Sequence, residues 1–341
     1  MVTSLPGINV LQRQRALPLG CLLALLCVGR GLLGQQTPVE TPAPAKVTAP
    51  VVDVSAPLAE ARRMLGAADY AGADRALRTI LLTAPDSPDA HFMLGFALLH
   101  EAQPTESLAE YTQGAKFRDP AAEELIGVAS DYILLKDYAD AEKWLVVAAK
   151  RSPERPITWY LLGRTQYNLN HWADAEHSFT TCLRLDPHHL RAEYNLGLVY
   201  EAQQKPELAL AAYKAAIAWQ ETAPVKDLQP YLDEGILLRQ QGKLAEALPV
   251  LLIAAGGGSH NPLAHQELGL AYEQLGKYDE AVGELKAAIA LAPKVEALHF
   301  FLGRMYRKAG KKDEAAQEFA EAARLSGTKS DAAVPNLDVT E

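Results

Sequence analysis

Cysteine is scarce: Cys21, Cys27 and Cys182 are the only three in 341 residues. The first two fall in an N-terminal apolar stretch, so Cys182 stands alone beyond it and no intramolecular disulfide can form there. Stability therefore rests on packing. Basic runs are missing as well. The net charge is -9, with acids and bases interspersed, so no stretch could neutralise a phosphate backbone and nucleic acid is not expected as a partner. Signatures of catalysis are also lacking. Neither Gly-x-Ser-x-Gly nor His-Glu-x-x-His occurs, and Gly256-Gly-Gly-Ser259 lacks the Gly-Lys-Ser/Thr ending of a phosphate loop. His171 and His177 flank a helix start at a spacing that cannot aim two ligands one way, and His188 and His189 follow Asp186-Pro187 in a turn. No metal or cofactor is expected.

Long apolar runs are equally rare. One lies near the start: Arg13 and Arg15 precede the run Ala16 to Val28, followed by Gly29, Gly31 and Gly34. A positive flank, a short apolar core and small residues form the pattern of a secretory signal. Arg30 interrupts the run, which makes a full membrane span a poor fit. Lipidation is disfavoured because Leu26, just before Cys27, is too bulky. Residues 1–34 are thus expected to be a signal peptide, or an N-terminal anchor if uncleaved. The expected location is exported: periplasmic or at the cell surface. Residues 35–56 are proline-rich with few large apolar side chains, which suits an extended tether. Residues 328–341 are a short polar tail.

What remains, residues 57–327, is dominated by a repeat. From Pro88 the chain can be cut every 34 residues, at 88, 122, 156 and 190, and it resumes at 228, 262 and 296 after a four-residue insertion near Pro224 to Asp227. In this register the eighth column reads Gly95, Ala129, Gly163, Gly197, Gly235, Gly269, Gly303. The twentieth reads Ser107, Ala141, Ala175, Ala209, Ala247, Ala281, Ala315, and the twenty-seventh is equally small. Column 24 is always large: Tyr111, Leu145, Phe179, Tyr213, Leu251, Leu285, Phe319. Two antiparallel helices approach closely only where their contact points lack bulk, and a large residue fills the gap beside them. Gly242, Gly276 and Gly310 at column 15, with Pro153, Pro187 and Pro293 at column 32, fall where helices must stop. Cys182 sits in the small column 27, which predicts a buried, inert thiol. Pro249 inside a second helix predicts a bend. A degenerate unit precedes these seven, starting near Pro57, with a first helix about three residues short and Ala76 as its small residue.

These columns resemble the tetratricopeptide repeat family. Trp159-Tyr-Leu-Leu-Gly163 through Ala175, Phe179 and Asp186-Pro187 is the fullest match. The resemblance implies an all-α fold: a right-handed superhelical solenoid of about eight antiparallel helix pairs. It further implies that the first helix of each pair lines a concave face through columns 2, 5, 9, 12 and 13. Those columns hold Phe92, Phe96, Leu99, His100, Glu123, Ile126 and Ser130 in the earlier units. The densest group follows, and it is the expected partner-binding site: Tyr160, Arg164, Tyr167, Asn168, Arg191, Tyr194 and Asn195. Some family members clamp the C-terminal carboxylate of chaperones. Asn195 fits one clamp position, but Asp233 would repel a carboxylate, so that activity is not expected.

Aromatic faces beside Arg and Asn suit an extended or helical peptide. The expected function is that of a non-enzymatic scaffold holding a protein or peptide partner, with membrane contact only through the N-terminal segment. The alternative is a structural subunit of a cell-envelope assembly, joined through self-association or the convex face.

Overall fold

The computed structural model describes residues 53–221, 225–256 and 260–327. The expected signal segment, most of the tether and the tail lie outside them, as do residues 257–259 of the glycine run. The described residues hold sixteen helices and no strand. In chain order they are α1 (Ser55–Gly66), α2 (Tyr70–Thr83), α3 (Pro88–His100), α4 (Pro104–Gly114), α5 (Ala122–Leu134) and α6 (Tyr138–Arg151). Then come α7 (Pro156–Asn168), α8 (Trp172–Leu185), α9 (Leu190–Ala202), α10 (Pro206–Trp219) and α11 (Gln229–Gln240). The last are α12 (Leu244–Ala255), α13 (Pro262–Gln274), α14 (Tyr278–Leu291), α15 (Glu296–Lys308) and α16 (Lys312–Gly327).

Helix starts are written locally. Asp69 and Ser87 accept from backbone N–H groups in the first turns of α2 and α3. Proline opens α3, α4, α7, α10 and α13, where no N–H is needed. Stops follow one rule. Every turn within a pair places column 15 in the left-handed region: Ala68, Ala102, Lys136, Asn170, Gln204, Gly242, Gly276 and Gly310 all have positive φ. The next residue then donates its N–H five residues back, as Gln103 does to Leu98 O at 2.9 Å and Lys277 to Tyr272 O at 2.9 Å. This closing bond satisfies carbonyls that the helix end would otherwise leave unpaired. α12 runs on through Pro249.

Within each pair the partners are antiparallel. Contacting residues lie 19 apart near the start of a first helix, as in His91 with Glu110, and 12 apart near its end, as in Gln166 with Ser178. Columns 8 and 24 meet in the middle. A Cβ added at Gly163 would come within 2.8 Å of the Phe179 ring, one at Gly95 within 3.1 Å of Tyr111, and one at Gly235 within 2.5 Å of Leu251. The small column therefore exists to admit the large one. Pairs then pack on pairs through a continuous core. One cluster joins Leu210 and Tyr213 of α10, Leu232 and Leu238 of α11, Leu251 of α12 and Leu268 of α13.

The first unit departs from its expected register. α1 begins at Ser55 and spans nearly the same columns as α3, so it is not shortened. Ala61, Ala73 and Leu77, all fully buried, take the contact columns, and Ala76 is only half-buried. Counting back one full period from Pro88 gives the correct start at Val54. In an alanine-rich segment, a slip of about one helical turn brings another alanine to nearly the same face, and the error is invisible in sequence.

Candidate functional site

One cleft of about 560 Å³ opens on the first-helix face. It is lined by Phe96, Leu99 and His100 of α3, Glu123, Ile126, Gly127, Ser130, Ile133 and Leu134 of α5, and Leu161, Arg164, Thr165 and Asn168 of α7, with Ala102 at its edge. Every helix that contributes is the first of its pair, because the second helices turn their small columns inward against them. Phe96 and Leu134 are 39% and 50% exposed, an apolar surface that water wets poorly. Gly127 also lines it, and a Cβ there would overlap the Tyr111 hydroxyl.

Polar groups sit at both ends of the cleft and on α5 between them. At the α3 end, the His100 ring stacks on Tyr70 at 4.4 Å and meets Phe96 edge-on at 4.5 Å. Burial pushes the His100 pKa below its ordinary value. At the α7 end, the Arg164 guanidinium lies 5.7 Å above the Tyr160 ring and is exposed. Glu123 forms an ion pair with Arg155.

The expected partner-binding residues separate into two groups. Arg164 and Asn168 line the cleft and are exposed. Phe96, Leu99, His100, Glu123, Ile126 and Ser130 join them there, although the sequence placed the densest site one unit further along. Tyr160 is only 6% exposed, packed between Phe179 and the His189 ring at 4.7 Å. Phe92 is buried too, beneath the Arg118 guanidinium. Tyr194 is half-buried, and its hydroxyl donates to Asp233 Oδ2 at 2.6 Å. Asn195 donates to the Arg191 carbonyl at 2.6 Å, while the Arg191 side chain is exposed. Tyr167 is half-buried against Trp172, 5.1 Å between ring centres. Ile133, Leu134 and Leu161 were not named from sequence. The first two occupy columns 12 and 13, so extending those columns to α5 would have found them.

Beside Tyr194 the surface turns acidic. Asp233 is held above the ordinary carboxylate range by burial, with Glu201 and Asp227 adding repulsion. It accepts from Gln229 at 3.2 Å as well as from Tyr194. The Tyr213 hydroxyl donates to Glu201. No group of three or more His, Cys, Asp or Glu among the described residues could hold a metal ion. Cys182 is fully buried, and burial pushes its thiol up to about 11, far from a nucleophile. No described helix is long and apolar enough to cross a membrane.

Comparisons with known proteins agree with this architecture. The tetratricopeptide repeat model matches residues 160–224, 232–296 and 267–330. Among solved structures, PilW, described as a widely conserved type IV pilus biogenesis factor, is 18% identical with a TM-score of 0.54, over 61% of this chain and 95% of its own. A tetratricopeptide repeat protein from Parabacteroides merdae is 16% identical with a TM-score of 0.52, over 73% and 97%. The Cut9-Hcn1 hetero-tetramer of APC/C is 17% identical with a TM-score of 0.51, and the match spans 76% of this chain but only 51% of the other. Among curated proteins, no sequence matches. Proteins of this kind are generally scaffolds for protein–protein interaction rather than enzymes. With the matched repeats and the stacked helix pairs pointing the same way, the chain belongs to the tetratricopeptide repeat family.

Proposed function

We propose that this chain is an exported, non-enzymatic scaffold that holds a peptide or protein partner on its first-helix face. The observation that carries the reading is the cleft across α3, α5 and α7, whose exposed Phe96 and Leu134 offer apolar area to a ligand. Burying such area on binding is worth roughly 25 cal/mol per Å² before ordering costs. The mechanism is binding alone: three rigid helices hold their side chains in a fixed array, so little entropy is lost when a peptide lies across them. The positive flank and short apolar core of residues 1–34 support export.

The test replaces apolar lining with charge. Phe96→Asp and Leu134→Asp are expected to abolish capture of the partner in crosslinking from the cleft, with helical circular dichroism unchanged. Capture that survives both changes would rule out this face. A second reading, self-association in an envelope assembly, is favoured by exposed apolar side chains on second helices, among them Leu208 and Leu252, each 48% exposed. A mass-resolved size-exclusion run separates the two, since self-association gives a dimer or larger species that Leu208→Lys disperses.

A further inference from the structure

Charge is distributed unevenly along the first-helix face. Arg164 is the one Lys or Arg lining the cleft. Among the described residues it has no carboxylate within ion-pair distance, and its one recorded contact is the face of Tyr160. A guanidinium resting on an aromatic ring keeps its N–H edge free for a planar, two-point acceptor. The only carboxylate in the lining, Glu123, is already engaged by Arg155. Beyond α7 three acids, Glu201, Asp227 and Asp233, gather around Tyr194, with the exposed Arg191 on the same helix. An acidic group on a ligand is repelled there and attracted at Arg164.

We infer that the occupant of the cleft is an extended peptide segment carrying apolar side chains over α3 and α5 and an aspartate or glutamate at Arg164. This rests on the proposed function and names the ligand chemistry. Neighbouring first helices lie about 10 Å apart, and an extended chain advances about 3.3 Å per residue. The cleft crosses three such helices, so it accommodates about six residues. The acid stands at one end, over α7.

The test pans a random heptapeptide phage library on the full chain at low salt, with Arg164→Glu and Phe96→Asp variants in parallel. Arg164 is exposed, so its replacement leaves the fold intact, and circular dichroism checks this. On the parent chain, peptides with Leu, Ile or Phe and an Asp or Glu on one side of them are expected to be enriched. Changing that acid to its amide in a synthetic copy is expected to weaken binding roughly tenfold, the scale of a charge-assisted pair. The same change on Arg164→Glu should bring no loss. Peptides that depend on Phe96 but show no acid preference, and bind Arg164→Glu equally well, overturn the inference and leave the proposed function standing. Failure to recover any Phe96-dependent peptide overturns both.

Discussion

The Ser107 hydroxyl lies 2.6 Å from Asp131 Oδ2 and 2.7 Å from the carbonyl of Gly95. The Ser107 hydroxyl has one hydrogen for these two acceptors: it donates to Asp131 Oδ2 when the carboxyl is ionised, and once the carboxyl is protonated Asp131 can donate to Ser107, which then donates to Gly95. Asp131 is fully buried, and its other oxygen has no partner. Burial accordingly raises its pKa to about 7 against the weaker opposing effect of the Ser107 bond. This group ties α4 to α3 and α5, two of the helices that line the cleft.

A raised pKa means that the folded chain holds this proton more tightly than the unfolded one. The contribution of Asp131 to stability is therefore fully present below the ordinary carboxylate range and is lost as pH rises towards about 7. The slope approaches ~1.4 kcal/mol per pH unit between those limits. Asp131→Asn supplies the donor permanently. Urea unfolding is expected to find the variant more stable than the parent at pH 8, with the gap closing at pH 4. An equal gap at both pH values would mean that the carboxyl is not protonated in the fold.

Gly197 faces Tyr213, whose ring is fully buried, and an added Cβ would overlap that ring. Gly197→Ala is expected to cost about 1–3 kcal/mol through overpacking. Adding Tyr213→Leu should recover part of the loss, because it recreates the Ala129 with Leu145 combination already present in the α5–α6 pair, where both residues are fully buried. A double-mutant cycle by thermal unfolding measures the coupling. Simple additivity would show that columns 8 and 24 do not interact as described.

Ala68 has φ of 58°, whereas Gly242, at the same column, has φ of 74° and open space around its missing side chain. Left-handed backbone strains any residue with a Cβ, by roughly 1–2 kcal/mol, offset in part by the entropy glycine loses. Ala68→Gly is expected to raise Tm and Gly242→Ala to lower it. Ala68 is exposed and the space at Gly242 is open, so shifts of the same sign would exclude backbone strain as the cause.

Tyr194 donates to the half-buried Asp233. Removing that hydroxyl leaves Asp233 with Gln229 as its remaining partner, and Tyr194→Phe is expected to destabilise the chain by about 1–3 kcal/mol. Peptide affinity at the cleft should stay unchanged. A loss of affinity at full stability would instead make Tyr194 a contact residue, as the sequence alone suggested.

Much of this was legible in the residues. The 34-residue period, the small columns and the breakers at columns 15 and 32 determined helical hairpins, their lengths and which of their faces meet. These are local properties: a helix face is set by spacing, and a close approach is set by the absence of a side chain. Cys182 could likewise be placed in the core from its column alone. Tertiary structure decided the rest. It assigned the first unit its start at Val54, where alanine abundance had blurred the register. It put left-handed backbone at Ala68, Ala102, Lys136, Asn170 and Gln204, which carry no glycine to announce it. It also separated Arg164, free at the cleft, from Tyr160 and Phe92, which share the groove columns yet are covered by His189 and Arg118. Periodicity tells which way a side chain points along its own helix. Whether that side chain meets water or a neighbour depends on residues some 26 to 29 positions away, brought there only when one pair stacks on the next.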